Sequence, residues 1–583
     1  MAVPLEPPLV VVPDREGGFL VFSRPLAVFA GPELAQAEAL ARERGAWLAG
    51  GLRYAEAETA APGWWGVFAA PAALTLGQLA AEADAGAVVV GPLAAEIGFE
   101  EYGAAFRQVR RALLGGVTYQ TNLTFGLKGR AAAGAWTWRS ALKLWLDLTA
   151  AQGREAVFAV LGDAPDAETL VSASPELFFA RWGDSVETRP MKGTAPRGGT
   201  PAQDAAHRQE LATSLKTRAE NLMVTDLLRN DLGRLAVAGG VTVPRLFEIE
   251  EYPTVWQMTS TIEARLKPET PLAALMAALF PCASITGAPK RSTQRVIAQA
   301  EPSPRGWYTG TFGWYKPGSP VSGPDRGRFS VLIRTLVFQG SEFRLGVGGG
   351  VVWDSTAEGE YDEAWAKTRF LNAVQRTFSL TEAVLWERGA GFFLFGEHEA
   401  RLAAACRDFG GVLDRAALRQ ALDAEVERLL LSSSGPFKLR VLVDPSFALR
   451  VEGEPVGPMA DTLTAGVAPR PLGPETLLWR RYKTTHRAVY DDAKAEGADQ
   501  TIYYNERGEL TETTTMTLVL ESGGKFLTPA LSSGLLDGTY RARLIAEGTL
   551  IEAVLPLDLL RSADAVWAVN SVRRWRRLRL ADA

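Results

Sequence analysis

A change of rhythm near residue 380 constrains this chain more than any other single feature. Over "TEAVLWERGAGFFLFGEHEARLAAACRDFG" the pattern reads as strand, turn, strand and then helix, the opening of a fresh folding unit. Length demands the same division, because 583 residues exceed what one apolar core can serve. The boundary falls between residues 372 and 382, giving one domain over 1–375 and a second over 380–583. No Gly/Ser-rich or Pro-rich linker separates them, so close packing is expected.

Composition narrows the class. With 47% hydrophobic and 22% charged residues and a formal net charge of −5, the chain reads as an ordinary globular protein, with no electrostatic reason to bind nucleic acid or a membrane surface. Its two cysteines, Cys282 and Cys406, lie far apart and outside any CxxC pair, which argues against a disulfide framework or a cysteine-rich zinc site. The stretch "MAVPLEPPLVVVPDREGGF" lacks the basic segment of a signal peptide, and no apolar run approaches the roughly 20 residues that cross a bilayer. A cytoplasmic location is expected.

Apolar residues recur at helical spacing over 101–115, 204–229 and 363–377. Strand-like runs occupy 155–161, 176–182, 328–338, 343–352, 437–443 and 500–504. The turns "NERGEL" and "ESGGK" predict hairpins. Helices and strands mix throughout, so the fold class is α/β (α+β).

Four stretches of the first domain hold candidate chemistry. "VSASPELFFA" sets Glu176 at the head of an apolar run, and "TRAENLMVTDLLRNDLGR" places Glu220, Asp226, Asn230 and Asp231 on a helix. "GVGGGVVWDSTAEGEYDEAWAKTR" joins a glycine-rich turn to Glu360 and Glu363, three apart and so on one helix face. In "TRPMKGTAPRG", Lys192 lies between Arg189 and Arg197. Singly, each has an ordinary reading as a solvated turn, a wet helix face, a tight bend or a surface lysine.

Together they form a series: "YQTNLTF" (119–125), "SASPELFF" (172–179), "TRPMKGT" (188–194), "AENLMVTDLLRNDLGR" (219–234), "YPTVWQMTSTI" (252–262), "ITGAPK" (285–290), "WYTGTFGW" (307–314), "FSVLIRT" (329–335) and "GGGVVWDS" (348–355). In this order, across about 270 residues, the series resembles the chorismate-utilising enzymes. The resemblance implies packed antiparallel sheets with outer helices and a Mg²⁺-dependent enzyme that binds chorismate, a dicarboxylate. Glu220 and Glu363 match the Mg²⁺-holding positions, with Glu360 as a neighbour or alternative ligand; two protein oxygens are what Mg²⁺ commonly receives. Gly348, Gly349 and Gly350, within the glycine-rich turn 346–350, would let backbone N–H groups approach a carboxylate. Tyr308 and Arg334 match contacts to the enolpyruvyl carboxylate, and Lys367 fits as a further carboxylate or metal-site neighbour.

Glu176 matches the family's general acid, which protonates the departing C4 hydroxyl and needs a raised pKa such as burial beside "LFF" would give. Lys192 marks the branch. It fills the Pro-(Ile/Met)-Lys-Gly-Thr motif of aminodeoxychorismate synthases, whose lysine attacks C2 before ammonia adds at C4. Anthranilate synthases usually carry a small residue there, and isochorismate and salicylate synthases carry lysine where this chain has Gln120. A nucleophilic lysine must be neutral although a free one titrates near about 10.4; Arg189 and Arg197, with partial burial, would depress it if they face it. Gln257 stands where related anthranilate synthases have histidine and receives no proton-transfer role. Neither cysteine lies in a nucleophile elbow, so a fused glutamine amidotransferase is not expected; the resemblance implies free ammonia or, as family precedent favours, ammonia from a separate glutamine amidotransferase subunit.

From about residue 380, "HEARL" (398–402), "YKTTHRAVYDDA" (482–493), "GELTETTTMTLVL" (508–520) and "LTPALSSGLLDGTYR" (527–541) resemble the class IV pyridoxal-phosphate enzymes. The resemblance implies two small α/β lobes and, by analogy, a homodimer. Lys483 would form the Schiff base with pyridoxal 5'-phosphate, Glu512 would pair with the pyridine nitrogen, Arg401 and Thr539 would contact the phosphate, and Thr513 would add a phosphate-side hydrogen bond. The pairing implies a bifunctional enzyme that makes 4-aminobenzoate and pyruvate from chorismate and ammonia. Its rivals are an anthranilate-type synthase, a C-terminal amino-acid transaminase, and a chain with one noncatalytic binding half.

Overall fold

The computed structural model describes residues 5–581 apart from 15–17, 56–60, 85, 87, 134–135, 153–154, 165, 199–200, 253–254, 373, 375–377, 410, 446 and 474–475. Part of the expected boundary, and the end of the helix expected over 363–377, therefore lie outside the described residues. The chain divides into two compact units, Met1–Asp84 with Leu93–Gly129 and Thr137–Val374, and Ala85–Pro92 with Arg130–Trp136 and Gln375–Ala583. The second unit thus takes two short segments from within the first half of the sequence, which no local pattern announces.

The first unit is built on two antiparallel sheets. One runs through Gln120–Ala132, Glu342–Val351, Thr335–Gln339, Thr169–Ser172, Val157–Val160, Leu9–Pro13 and Phe19–Ser23. The other runs through Met191–Pro196, Val255–Leu266, Ser185–Thr188, Leu177–Trp182, Arg326–Val331, Thr311–Lys316, Trp47–Leu52 and Gly63–Phe68. Val10, Phe22, Val157 and Leu170 of the first pack against Ala49, Phe68, Phe312 and Trp314 of the second, so alternate residues of each sheet bury one face in a shared core. The opposite face of the second sheet is covered by helices, through Val224, Leu228, Leu272 and Met276 against Phe179, Ile262 and Phe329. This is the packed-sheet arrangement expected.

In the second unit, Leu380–Glu387, Gly391–Phe392 and the helix Phe395–Asp408 follow the predicted strand–turn–strand–helix order. A four-stranded antiparallel sheet continues through Phe437–Val443 and Leu449–Pro455, and an eight-stranded mixed sheet forms a second lobe. The predicted hairpin at "ESGGK" joins Thr517–Ser522 to Lys525–Pro529, with Gly523 at φ 57° and Gly524 at φ 73° as a tight two-residue turn requires.

Three elements depart from expectation. The helix predicted over 204–229 is two, Pro201–Thr213 and Leu215–Gly233, because Ser214 accepts a hydrogen bond from Thr217 N and caps a new helix. The strand predicted over 328–338 breaks into Arg326–Val331 and Thr335–Gln339, with Arg334 between them at φ 49°. The glycine-rich segment 346–350 is not a turn: it is extended within the strand Glu342–Val351, which matches the strand-like run expected over 343–352.

Candidate active sites

In the first unit, Glu176 lies just ahead of the strand Leu177–Trp182, 3% exposed. Ser284 Oγ donates to its Oε1 at 2.6 Å, and Cys282 Sγ lies 3.2 Å from the same hydroxyl. Burial pushes the Glu176 carboxyl up to about 7, against the pull of the Ser284 hydrogen bond and the nearby Lys192. That is a glutamate able to hold a proton near neutrality.

Lys192 sits where the pairing of Met191–Pro196 with Val255–Leu266 shifts register between Met191 and Thr194, an irregularity of the kind that re-aims a side chain. Gly193 at φ 94° permits it. Burial lowers the ammonium's pKa; Glu220 opposes that effect and Lys367 adds to it. The expected agents are engaged elsewhere: Arg189 pairs with Glu250, and Arg197 with Asp204 at 2.7 Å and Glu251 at 2.8 Å. The like charge that matters comes from Lys367, 175 residues on in sequence.

The three glycines of Glu342–Val351 are explained by what lies against them. A Cβ on Gly348 would come 2.4 Å from the Leu123 carbonyl oxygen; on Gly349, 2.5 Å from Glu360 Oε2; on Gly350, 2.4 Å from Gln120 Nε2 and 3.5 Å from Lys192 Nζ. Lys367 Nζ donates to Gly348 O at 2.6 Å and pairs with Glu363 at 3.0 Å. The strand is therefore the common wall of Lys192, Gln120, Glu360 and Lys367. Tyr308 is buried with its ring beside Gly346, and burial lowers the pKa of Arg334.

Among the described residues no group of three or more His, Cys, Asp or Glu side chains forms a ready cation cluster. A divalent ion is nonetheless compatible with what is present. Glu360 accepts from Ser355 Oγ through Oε1 at 2.7 Å while its buried Oε2 has no hydrogen-bond partner. Burial raises Glu220, and the Glu363 charge adds to it; burial also raises Glu363, but Lys367 outweighs that and leaves it lowered. An orphaned acceptor among carboxylates whose charges burden one another is a place a cation would relieve. Asp226 and Asp231 do not join this group: they pair with Arg229 and Lys290. Gln257 Oε1 accepts from Thr194 Oγ at 2.7 Å. A separate cavity lined by Pro175, Arg189, Met191, Tyr252 and Arg328 contains neither Glu176 nor Lys192, and Arg328 there is paired with Glu155.

In the second unit, one pocket brings together Arg401, Lys483, Glu512, Thr513 and Thr539. Lys483 is anchored by its carbonyl, which accepts from Thr381 N at 2.9 Å, and burial with the Arg401 charge lowers its amine to about 8. Glu512 is buried and accepts from Tyr490 Oη at 2.8 Å, an acceptor suited to a protonated ring nitrogen. A Cβ on Gly538 would meet Thr517 Oγ1 at 2.8 Å, so the absence of a side chain there lets Thr517 pack against the backbone. These features fit an aldehyde-phosphate cofactor. The Thr513 hydroxyl is directed to Gln500 Oε1 and Met516 O, each at 3.0 Å.

Ser284 and Tyr490 belong to these sites and were not singled out in the sequence. Ser284 immediately precedes "ITGAPK" and Tyr490 lies within "YKTTHRAVYDDA", so nearness to a motif is the only signal the sequence carries for either.

A family model described as chorismate binding enzyme matches residues 36–373, and one described as amino-transferase class IV matches residues 379–581. Aminodeoxychorismate synthase component 1 of Escherichia coli is 38% identical over 278 residues, 48% of this chain and 58% of that protein. Anthranilate synthase component 1 3 of Haloarcula marismortui is 37% identical over 276 residues, 47% of this chain and 52% of that protein. The chain spans about half the length of these curated relatives. The menaquinone-specific isochorismate synthase of Escherichia coli shares the fold, with a TM-score of 0.52 and 16% identity over 64% of this chain and 90% of that one.

Proposed function

The chain belongs to the chorismate binding enzymes, and from that membership we propose that it makes 4-aminobenzoate and pyruvate from chorismate and ammonia. The observation that carries the reading is Lys192, its pKa lowered by burial, in electrostatic reach of Glu176 held at about 7. Neutral Lys192 attacks C2 of the ring; the ring double bonds shift, and the C4–O bond breaks as Glu176 gives its proton to the leaving hydroxyl, which departs as water. Ammonia then adds at C4, and the C2–N bond breaks to return Lys192. Ammonia comes from a separate glutamine amidotransferase subunit.

Glu220 and Glu363, with Glu360 beside them, would hold Mg²⁺, which neutralises and orients the ring carboxylate when bound. The N–H groups of Gly348–Gly350, with Arg334 and Tyr308, would receive the substrate's carboxylates. In the second unit Lys483 takes the C4 proton of the aminated product, and the enolpyruvyl group leaves as pyruvate with aromatisation of the ring. Pyridoxal phosphate, when bound, supplies the electron sink for the pair released at C4. Glu512 sustains the positive ring nitrogen, and Arg401 and Thr539 take the phosphate.

Product analysis of the full chain with chorismate, Mg²⁺, ammonium and pyridoxal phosphate tests the reading. Equal amounts of 4-aminobenzoate and pyruvate are expected. Anthranilate as the aromatic product, or transamination of D-alanine or branched-chain amino acids without pyruvate, would overturn it. Lys192→Ala should abolish C4 amination; an unchanged rate would exclude covalent attack.

A further inference from the structure

The expected phosphate contacts of the second unit are held from behind by two buried groups with no role assigned so far. Glu382, in the middle of the strand Leu380–Glu387, accepts from Arg401 Nε at Oε1 and from Arg401 Nη2 at Oε2, both at 2.7 Å. Its Oε2 also lies 2.8 Å from His398 Nδ1. His398 and Arg401 stand one helical turn apart on Phe395–Asp408, so a single carboxylate meets both. At its far edge, His398 Nε2 lies 3.3 Å from Thr539 Oγ1 on the first residue of Thr539–Ala546.

Glu382 and His398 are each 2% exposed. Burial would raise the Glu382 carboxyl, yet Arg401 and His398 outweigh it and hold the group well below the ordinary carboxylate range. A buried carboxylate of this kind persists only because its partners saturate it. Arg401 spends Nε and one N–H of Nη2 on Glu382 and one N–H of Nη1 on Asp537 O at 2.6 Å. That leaves one N–H on each terminal nitrogen of a guanidinium fork that lines the pocket beside Thr539. A free arginine would sample many rotamers; this one is clamped along one edge, with its other edge set by planarity.

We infer that Glu382 and His398 are positioning residues for the phosphate of the cofactor: Glu382 fixes the Arg401 fork, and His398 ties Thr539 to the same carboxylate. This rests on the pyridoxal-phosphate reading of the pocket. The consequence is selectivity for the phosphorylated cofactor rather than affinity for its ring.

The test is a titration of cofactor-free full chain with pyridoxal phosphate and, separately, with pyridoxal, read as the visible absorbance of the lysine-bound form. Glu382→Gln should weaken pyridoxal phosphate by about tenfold or more, the loss typical of a charge-assisted contact, and leave pyridoxal nearly unchanged. His398→Asn should show the same selectivity with a smaller loss. Equal loss for both ligands, or an unchanged preference in folded protein, overturns the inference; should Glu382→Gln not fold, the preference of His398→Asn decides on the same terms. If the unmodified chain binds no pyridoxal phosphate, the cofactor reading itself falls and this inference with it.

Discussion

Burial has opposite effects on Glu176 and Lys192, raising an acid and lowering a base, as the proposed reaction requires of each. Glu176 is an acid in its protonated form, present below about pH 7 and lost as pH rises through that value, so kcat/KM for amination should fall on the alkaline side. Ser284 donates to the carboxylate and favours its charged form. Ser284→Ala should therefore move the alkaline limb to higher pH, measurable in a pH profile with ammonium as nitrogen source. Glu176→Gln should cost roughly 10²–10⁴-fold in kcat, the usual worth of a positioned proton donor. Glu176 and Lys192 stand out in the sequence through their motifs, and burial, expected as part of the cause of the lysine's depression, is its largest part, but the like charge that adds to it is not the one expected. Arg189 and Arg197 are its neighbours in the chain, whereas Lys367 becomes its neighbour only after the strands pair.

The strand Glu342–Val351 shows that neighbouring glycines can be required for different reasons. A methyl group at Gly348 meets main chain, the Leu123 carbonyl, which cannot move without disturbing the adjacent strand. At Gly349 and Gly350 it meets the ends of Glu360 and Gln120 side chains, which can turn aside. Gly348→Ala should cost about 1–3 kcal/mol of stability, the range for overpacking, seen in denaturant unfolding. Gly349→Ala and Gly350→Ala should leave stability nearly intact while lowering kcat/KM, because the displaced side chains line the site. The sequence announced the glycines and a strand over 343–352 but not side-chain clearance as their reason, and the glycine run suggested a bend where the backbone is extended. Short regular strands were read closely: 437–443 and 500–504 appear as Phe437–Val443 and Gln500–Tyr504. Breaks set by one residue, Ser214 as a cap and Arg334 in a left-handed conformation, leave no periodic trace.

For the whole molecule, two sites built from disjoint residues should be separable. Lys483→Ala should lose the visible absorbance of bound cofactor yet still consume chorismate in the presence of ammonium, accumulating the aminated intermediate. Lys192→Ala should do the reverse, converting supplied intermediate to 4-aminobenzoate. Either variant losing both activities in folded protein would show that the steps are not independent. The restart near residue 380 is local and so shows in the sequence; that the segments Ala85–Pro92 and Arg130–Trp136 belong to the second unit does not, because membership of a remote core has no sequence signature. Val89 and Ala132 are buried in that core with Phe378, Phe409 and Leu439. During synthesis these two segments leave the ribosome about 290 and about 250 residues before Phe378 does, an interval of some tens of seconds at ordinary elongation rates. For that time their apolar side chains await partners that do not yet exist, making the emerging first half a natural client for a chaperone.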